Sequence, residues 1–388
     1  MRVLHVIPSL SLTSGGPSLA LPAMAKALQQ EGVRVDVATT DDEGRGLRNH
    51  DISLGEAILR DGFRAFYFAK QTEFYKVSLP LHAWLMRHVR DYDVVHIHAL
   101  FSFASISASR AARKHRVPYI IRPLGLLNAY GMKKRQWLKK LSFGLVEKPL
   151  INKASAMHYT SNQERDEAEC LQIKAPSHVI PLGLDLTPFL HLPEPDLFYE
   201  TFPETRGKQV ILFLSRLDPK KGVDLLLQAY AKFIASSPNA HLVIAGSGPE
   251  DYVEELKTMA GLLGISHRMT WAGQVSGTQK LSALAGAALF VLPSYSENFG
   301  IALLEAMAAG LPCVSTPGVA LAQEAGGAIS LVNCDPNELS NAMVNLLNDA
   351  ELATRLGSNA AALAKERYSL EALGVSLAEL YRSTIHSS

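Results

Sequence analysis

The chain has 388 residues, about 2.6 times a common domain of roughly 150, so two domains are expected and a single small module is excluded. Lys plus Arg number 38 and Asp plus Glu 37, a formal charge of +1, so no general field draws the chain to nucleic acid and an anionic ligand must be met by local charge. A hydrophobic share of 47% against a charged share of 19% excludes disorder as the main state.

Short apolar, β-branched runs alternate with longer amphipathic stretches, which predicts parallel strands joined by helices, an α/β chain. Strands are expected at Val3–Ile7, Val33–Thr39, Val94–Ile97, Tyr119–Arg122, Ala156–Thr160 and His178–Ile180, with helical stretches such as Ser18–Glu31 between several of them. Residues 1–185 therefore read as one doubly wound sheet. The stretch HLPEPDLFYETFPETRGK, His191 to Lys208, breaks the periodicity with three prolines, so 186–208 reads as an exposed linker. A second series follows over 209–368, with strands at Val210–Leu214, His241–Ala245, Met269–Ala272, Leu289–Leu292, Cys313–Ser315 and Ala328–Leu331. The last stretch, about 369–388, is helical.

Cys170, Cys313 and Cys334 are odd in number and form no CxxC pair, which fits a reducing, cytoplasmic setting. No run reaches the roughly 18 to 20 apolar residues that cross a bilayer; the longest, Ala283 to Pro293, is interrupted at Gly286. The start, MRVLHVIPSLSL, is too short and interrupted for a signal peptide and reads as a first strand.

Ligands of open α/β sheets bind beyond the carboxyl ends of the strands, so the residues just after each strand carry the interest. The most specific segment is SYSENFGIALLEAMAAGLP, Ser294 to Pro312, in which seven residues separate Glu297 from Glu305. Asn298 is a reasonable N-cap, which gives Phe299, Gly300 and Ile301 free backbone N–H groups where an anion is favoured. Glu305 then lies roughly 12 Å further along the axis, enough to separate a sugar from a nucleoside ribose. The plainer alternative makes Glu297 a loop carboxylate and Glu305 a helix charge. A glycosidase pair fits poorly, since its carboxylates flank one bond at roughly 5 to 9.5 Å.

SRLDPKKGV, Ser215 to Val223, places Arg216 and Lys221 in a strand-to-helix loop. Fixed cations there suit the charge that develops on a departing diphosphate; a solvated basic loop is the alternative, and Lys220 reads that way. Gly15 and Gly16 follow the first strand, where a side chain would block backbone approach to a diphosphate or acceptor, although a tight turn also uses glycine. His96 and His98 share a strand face, and His98 comes last. The alternatives are a hydrogen-bonded core histidine for His96 and a metal pair for both, the latter a weak reading because no third ligand stands at convincing spacing. The acids of DYD, Asp91 to Asp93, precede their strand and sit at the wrong end for chemistry. Gly246 and Gly248 suggest a dinucleotide fingerprint, but Asp251 occupies its sixth position.

SRLDPKKG, LVIAGSGPE, GQVS and ENFGIALLEAMAAGLPCV, in this order, resemble glycosyltransferase family 4, whose members have the GT-B fold of two facing Rossmann-like domains. The first half agrees more loosely, through GGP at Gly15–Pro17, DVVHIH at Asp93–His98 and VIPLGLD at Val179–Asp185, with Leu182 where the family commonly has asparagine. The resemblance implies that Arg216 and Lys221 bind the donor diphosphate, Glu297 the transferred sugar and Glu305 the ribose diol, with backbone groups of Asn298, Phe299, Gly300 and Ile301 holding sugar and phosphate. It implies further that His98 lies near the donor sugar, Gly248 and Val275 near the nucleobase, and that the C-terminal helix packs back on the first domain. The family is retaining and generally metal-free, which implies front-face substitution with no covalent intermediate.

On the acceptor side, YGMKKRQWLKKL around Lys133, Lys134 and Trp137 suits an anionic membrane surface or a lipid diphosphate as well as it suits a solvated basic helix. Arg122 closes a strand, facing either the cleft or a salt-bridge partner. The expected function is a retaining transferase, free in the cytoplasm or peripheral on the inner face of the membrane, with Glu297, His98, Arg216 and Lys221 as the reacting set. It would move a hexose, best glucose, from a UDP-sugar to a polysaccharide or lipid-linked glycan, without metal or other cofactor. A nucleotide-sugar epimerase of the same fold and an inactive nucleotide-sugar-binding scaffold are the alternatives.

Overall fold

The computed structural model describes residues 1–11, 16–60, 62–127 and 142–387, with 16–19 described in backbone only. The chain divides into two compact units, Met1–Gly183 with Leu370–Ser388, and Leu184–Ser369.

The first unit is built on an eight-stranded sheet of order β3-β4-β2-β1-β5-β6-β7-β8. Its strands are β1 Arg2–Ser9, β2 Arg34–Thr40, β3 Ala57–Arg60, β4 Phe63–Phe68, β5 Val94–His98, β6 Tyr119–Arg122, β7 Ala156–Tyr159 and β8 Ser177–Val179. All neighbours are parallel except the β3–β4 hairpin at the edge. Alternation along the strands serves two cores. Leu4, Val6, Val95 and Ile97 face the side covered by the helices Leu79–His88 and Phe103–His115. Val3, Ile7 and Val94 face Leu21 and Met24 of the helix Gly16–Gln30 and Leu373, Leu377 and Tyr381 of the C-terminal helix Leu370–His386. The two helices cross so closely that a Cβ on Gly374 would come within 2.6 Å of the Ala27 carbonyl oxygen.

The second unit holds a fully parallel six-stranded sheet of order β11-β10-β9-β12-β13-β14. Its strands are β9 Gln209–Leu214, β10 Ala240–Ala245, β11 Met269–Gly273, β12 Ala287–Leu292, β13 Cys313–Ser315 and β14 Ser330–Leu331. Val210 to Phe213 and Leu242 to Ala245 are buried on both faces, as parallel strands under helices require.

Two expectations change. The stretch 186–208 is not an exposed connection between units. It carries the helix Asp196–Thr201 within the second unit, buries Phe198 completely, and bonds the Phe198 N–H to Ser282 Oγ at 3.1 Å. The β3–β4 hairpin is an addition, and β3 is mostly exposed, so it lacks the apolar run that marks the other strands. No helix of the described residues is long and apolar enough to cross a membrane.

Candidate active site

In the second unit the loops after β9, β12 and β13 are locked together by backbone. Tyr295 N–H donates to the Lys220 carbonyl at 2.8 Å and Glu297 N–H to the Gly318 carbonyl at 2.7 Å. Glycine makes this packing possible. Gly222 has φ 69°, and a Cβ there would come within 2.1 Å of the Pro293 carbonyl oxygen; one on Gly318 would come within 2.2 Å of the Ser294 oxygen. Gly246 and Gly248 lie in the same way against the carbonyls of Ser215 and Leu217. Their spacing is thus required by loop packing, whatever ligand they also meet.

Within this frame Lys221, on the short turn Pro219–Lys221 capped by Asp218, forms an ion pair with Glu297. The Lys221 side chain is 6% exposed and that of Glu297 20%. Burial, followed by the neighbouring cations Lys220 and Arg216, pulls the Lys221 ammonium down to about 7, and the Asp218 carboxylate opposes that shift. Arg216 is exposed and makes no ion pair with a described residue.

The helix Ile301–Ala308 begins one residue after Gly300, which has φ 107° and offers no capping side chain. Asn298 is therefore not its N-cap. Glu297 precedes the helix altogether, in an isolated bridge to Val319, so the helical rise does not set its separation from Glu305. Gly300 fits because a Cβ would meet Val319 Cγ1 at 2.6 Å. Phe299 is a core residue, edge-on to Tyr368 with ring centroids 5.8 Å apart. The first-turn N–H groups, Ile301 among them, have no intrahelical acceptor and point out of the helix start. Glu305, one turn in, accepts from Lys280 Nζ at 2.5 Å. Lys280 lies on the helix Gly277–Gly286, directly after the loop that buries Val275. The sequence reading missed Lys280 because its partner lies 25 residues away.

In the first unit His98 is not an open strand-end side chain. It is 1% exposed, with its Nε2 2.9 Å from His5 Nδ1. His5, His96 and His158 are equally buried, and burial, reinforced by the neighbouring imidazoles and Arg122, keeps all four well below their ordinary value, His5 and His158 at about 3. The third imidazole absent from the local spacing comes from β1: potential ligand atoms of His5, His96 and His98 lie within 4.8 Å of one another. The chemistry of this trio fits a cation poorly, because five of its six ring nitrogens already bond one another, Tyr381 or His158, and the Arg122 charge bears on all three rings.

Arg122 stands beside His98 in register on β6. It is 1% exposed and forms no ion pair with a described residue; Nη1 lies 3.2 Å from Met24 Sδ and Nε has no partner. Arg122 is thus buried, and the salt bridge that is one expectation for it is not formed with any described residue. Burial draws its guanidinium down to about 10. The sequence reading also missed a buried Lys70–Asp42 pair at 2.7 Å in the loops after β2 and β4, joined by Lys76. Loops after β4, β5 and β6 hold Tyr75, Lys76, Ala99, Phe101 and Leu124 at positive φ, the kind of backbone cost that gathers at functional edges. Gly16 opens the first helix, whereas Gly15, Lys133, Lys134 and Trp137 lie outside the described residues.

Two family models match the chain, "Glycosyl transferases group 1" over residues 200–363 and "Glycosyl transferase 4-like domain" over residues 15–183. An alpha-D-kanosaminyltransferase of Streptomyces kanamyceticus is 33% identical over 45% of this chain and 46% of its own length. A phosphatidyl-myo-inositol mannosyltransferase of Mycolicibacterium smegmatis is 34% identical over 45% and 43%. The chain thus spans about half the length of these curated relatives. Over 99% of this chain and 100% of the other, the fold matches Anabaena Alr3699/HepE in complex with UDP and glucose, with a TM-score of 0.76 and 21% identity. With one glycosyltransferase model on each unit, the chain belongs to the GT4-like glycosyltransferases of GT-B fold.

Proposed function

We propose that the chain transfers a hexose, with retention and without a metal, from a UDP-sugar to a polysaccharide or lipid-linked glycan in the cytoplasm, and that glucose is the first sugar to try. The observation that carries this reading is the pair of carboxylates at the carboxyl edge of the second sheet, Glu297 on Lys221 and Glu305 on Lys280, with an uncapped helix start between them. An ammonium has three N–H donors, so Lys221 can keep Glu297 and still meet a phosphate oxygen. As the bond from the sugar to the diphosphate breaks, charge grows on the leaving oxygen; Lys221, Arg216 and the first-turn N–H groups after Gly300 are fixed positive ends for it. The leaving phosphate then takes the acceptor's proton on the same face. Glu305 suits a vicinal diol, since a carboxylate accepts from two hydroxyls. The UDP and glucose carried by the structural neighbour support the choice of donor.

The test is hydrolysis of UDP-glucose, and transfer to a mixed pool of glycan and lipid-linked acceptors, in EDTA, with the anomer of the product read by NMR. An α-product formed in chelator supports the reading. A β-product, or activity restored only by manganese, overturns it; an epimerised donor without acceptor turns the reading to an epimerase.

A further inference from the structure

Four buried imidazoles and a phenol link three strands of the first unit to the C-terminal helix. His158 Nε2 lies 2.8 Å from the Ile180 carbonyl oxygen, and His158 Nδ1 lies 3.2 Å from His96 Nε2. His96 Nδ1 lies 2.8 Å from the Tyr381 hydroxyl, which lies 3.3 Å from His5 Nε2. His5 Nδ1 lies 2.9 Å from His98 Nε2. Apart from the link to the Ile180 carbonyl, each joins two nitrogens or a nitrogen and a hydroxyl, so proton placement among them is free until one end is fixed.

One end is fixed. A carbonyl oxygen only accepts, so His158 must carry its proton on Nε2, and as a neutral ring it then has a bare Nδ1. Bare nitrogens do not face each other at hydrogen-bond distance, so His96 donates from Nε2 and is bare at Nδ1. Tyr381 then donates to His96 and accepts from His5 Nε2–H, His5 is bare at Nδ1, and His98 donates from Nε2. Neutrality of every ring is the condition, and full burial beside the Arg122 guanidinium supplies it.

We propose that the Ile180 carbonyl, acting through His158, His96, Tyr381 and His5, fixes the tautomer of His98 so that its Nδ1 is a bare hydrogen-bond acceptor. His98 Nδ1 is the only ring nitrogen of the four without a partner among the described residues. The group His98 receives is therefore a hydroxyl or an N–H. A phosphate oxygen or a carbonyl oxygen would meet a lone pair there. His5, His96, His158 and Tyr381 are positioning residues. The meaning of this polarity for a sugar hydroxyl rests on the transferase reading; the tautomer itself does not.

The test is long-range proton–nitrogen NMR of the full chain labelled at histidine, assigned by single substitutions, at pH 7. The expected wild-type result is the Nε2–H neutral form for all four rings. In Tyr381→Phe, His158 and His96 keep that form, whereas His5 and His98, cut off from the carbonyl, become tautomer mixtures. General loosening of the fold would disturb both sides alike. An Nδ1–H form of His98 in the wild type, which needs no variant to observe, overturns the proposal. So does an unchanged His98 in Tyr381→Phe, or a visible-region spectrum of imidazole-bound cobalt when Co(II) is added. None of these readouts uses a nucleotide, so failure of donor binding leaves the inference standing or falling on its own.

Discussion

The loops at the carboxyl edge of the second sheet and the histidine-bearing strands of the first are built from opposite materials. In the second unit Lys221–Glu297 and Lys280–Glu305 are ion pairs on loops that glycine backbones lock together. In the first unit β1, β5 and β7 carry neutral imidazoles that join a phenol in one hydrogen-bond chain, beside an arginine with no ion pair to a described residue, while the ion pairs of Asp42 with Lys70 and Lys76 lie in the loops after β2 and β4. Charged pairs suit a ligand whose charge changes during the reaction; a neutral chain of fixed polarity suits recognition of a hydroxyl. On the proposed reading, the difference teaches that one fold, repeated, supplies charge for the leaving group from one copy and hydrogen-bond polarity from the other.

The largest break in this comparison is Lys221→Ala, which on the proposed reading removes a cation from the leaving group and also takes away the ion-pair partner of Glu297. Donor hydrolysis or transfer is expected to fall roughly 10²–10³-fold, and wild-type rates in a folded variant would refute the assignment. Gly222→Ala comes next: a side chain at φ 69° aimed at the Pro293 carbonyl should cost at least about 1–3 kcal/mol in unfolding free energy, read by chemical denaturation. Glu305→Gln keeps the shape and removes the charge. UDP affinity is expected to drop roughly 10- to 100-fold, from a charge-assisted bond worth roughly 1.5–3 kcal/mol, with little change in melting temperature.

Acid sharpens the contrast between units. Below the ordinary value of 6.5 an unfolded chain protonates His5 and His158, while the folded rings resist until about 3. The stability they lend is complete above 6.5 and declines as pH falls across that window. Glu147, buried with Oε1 unpartnered, acts in the other direction: burial raises it from 4.5 to about 7, so its penalty develops as pH rises through that interval. Glu147→Gln is the smallest predicted effect, a gain of about 1–2 kcal/mol at pH 8 that vanishes near pH 4, measured by thermal unfolding at both values.

What was legible in the sequence follows from the range of the interactions. Parallel strands are apolar runs, and Val210 to Leu214 or Tyr119 to Arg122 announce themselves within a few residues. The Glu297–Glu305 spacing and the Lys221 loop are local motifs too, although the helix cap at Gly300 depends on contact with Val319 and was misread as Asn298. The rest is carried by distance. His5 meets His98 across 93 positions and Tyr381 reaches His96 across 285, so His96 and His98 read as two residues on one strand face and not as part of a five-member chain. Arg122 shows the same limit: its strand was evident, its missing counter-ion was not.

The most direct test of the donor site is isothermal titration, in EDTA, of the wild type and Glu305→Ala with UDP, GDP, ADP and UDP-glucose. The account predicts selective, metal-independent binding of UDP and UDP-glucose by the wild type and its loss in Glu305→Ala. Equal binding of UDP by both proteins, or no nucleotide binding by the wild type, would contradict it.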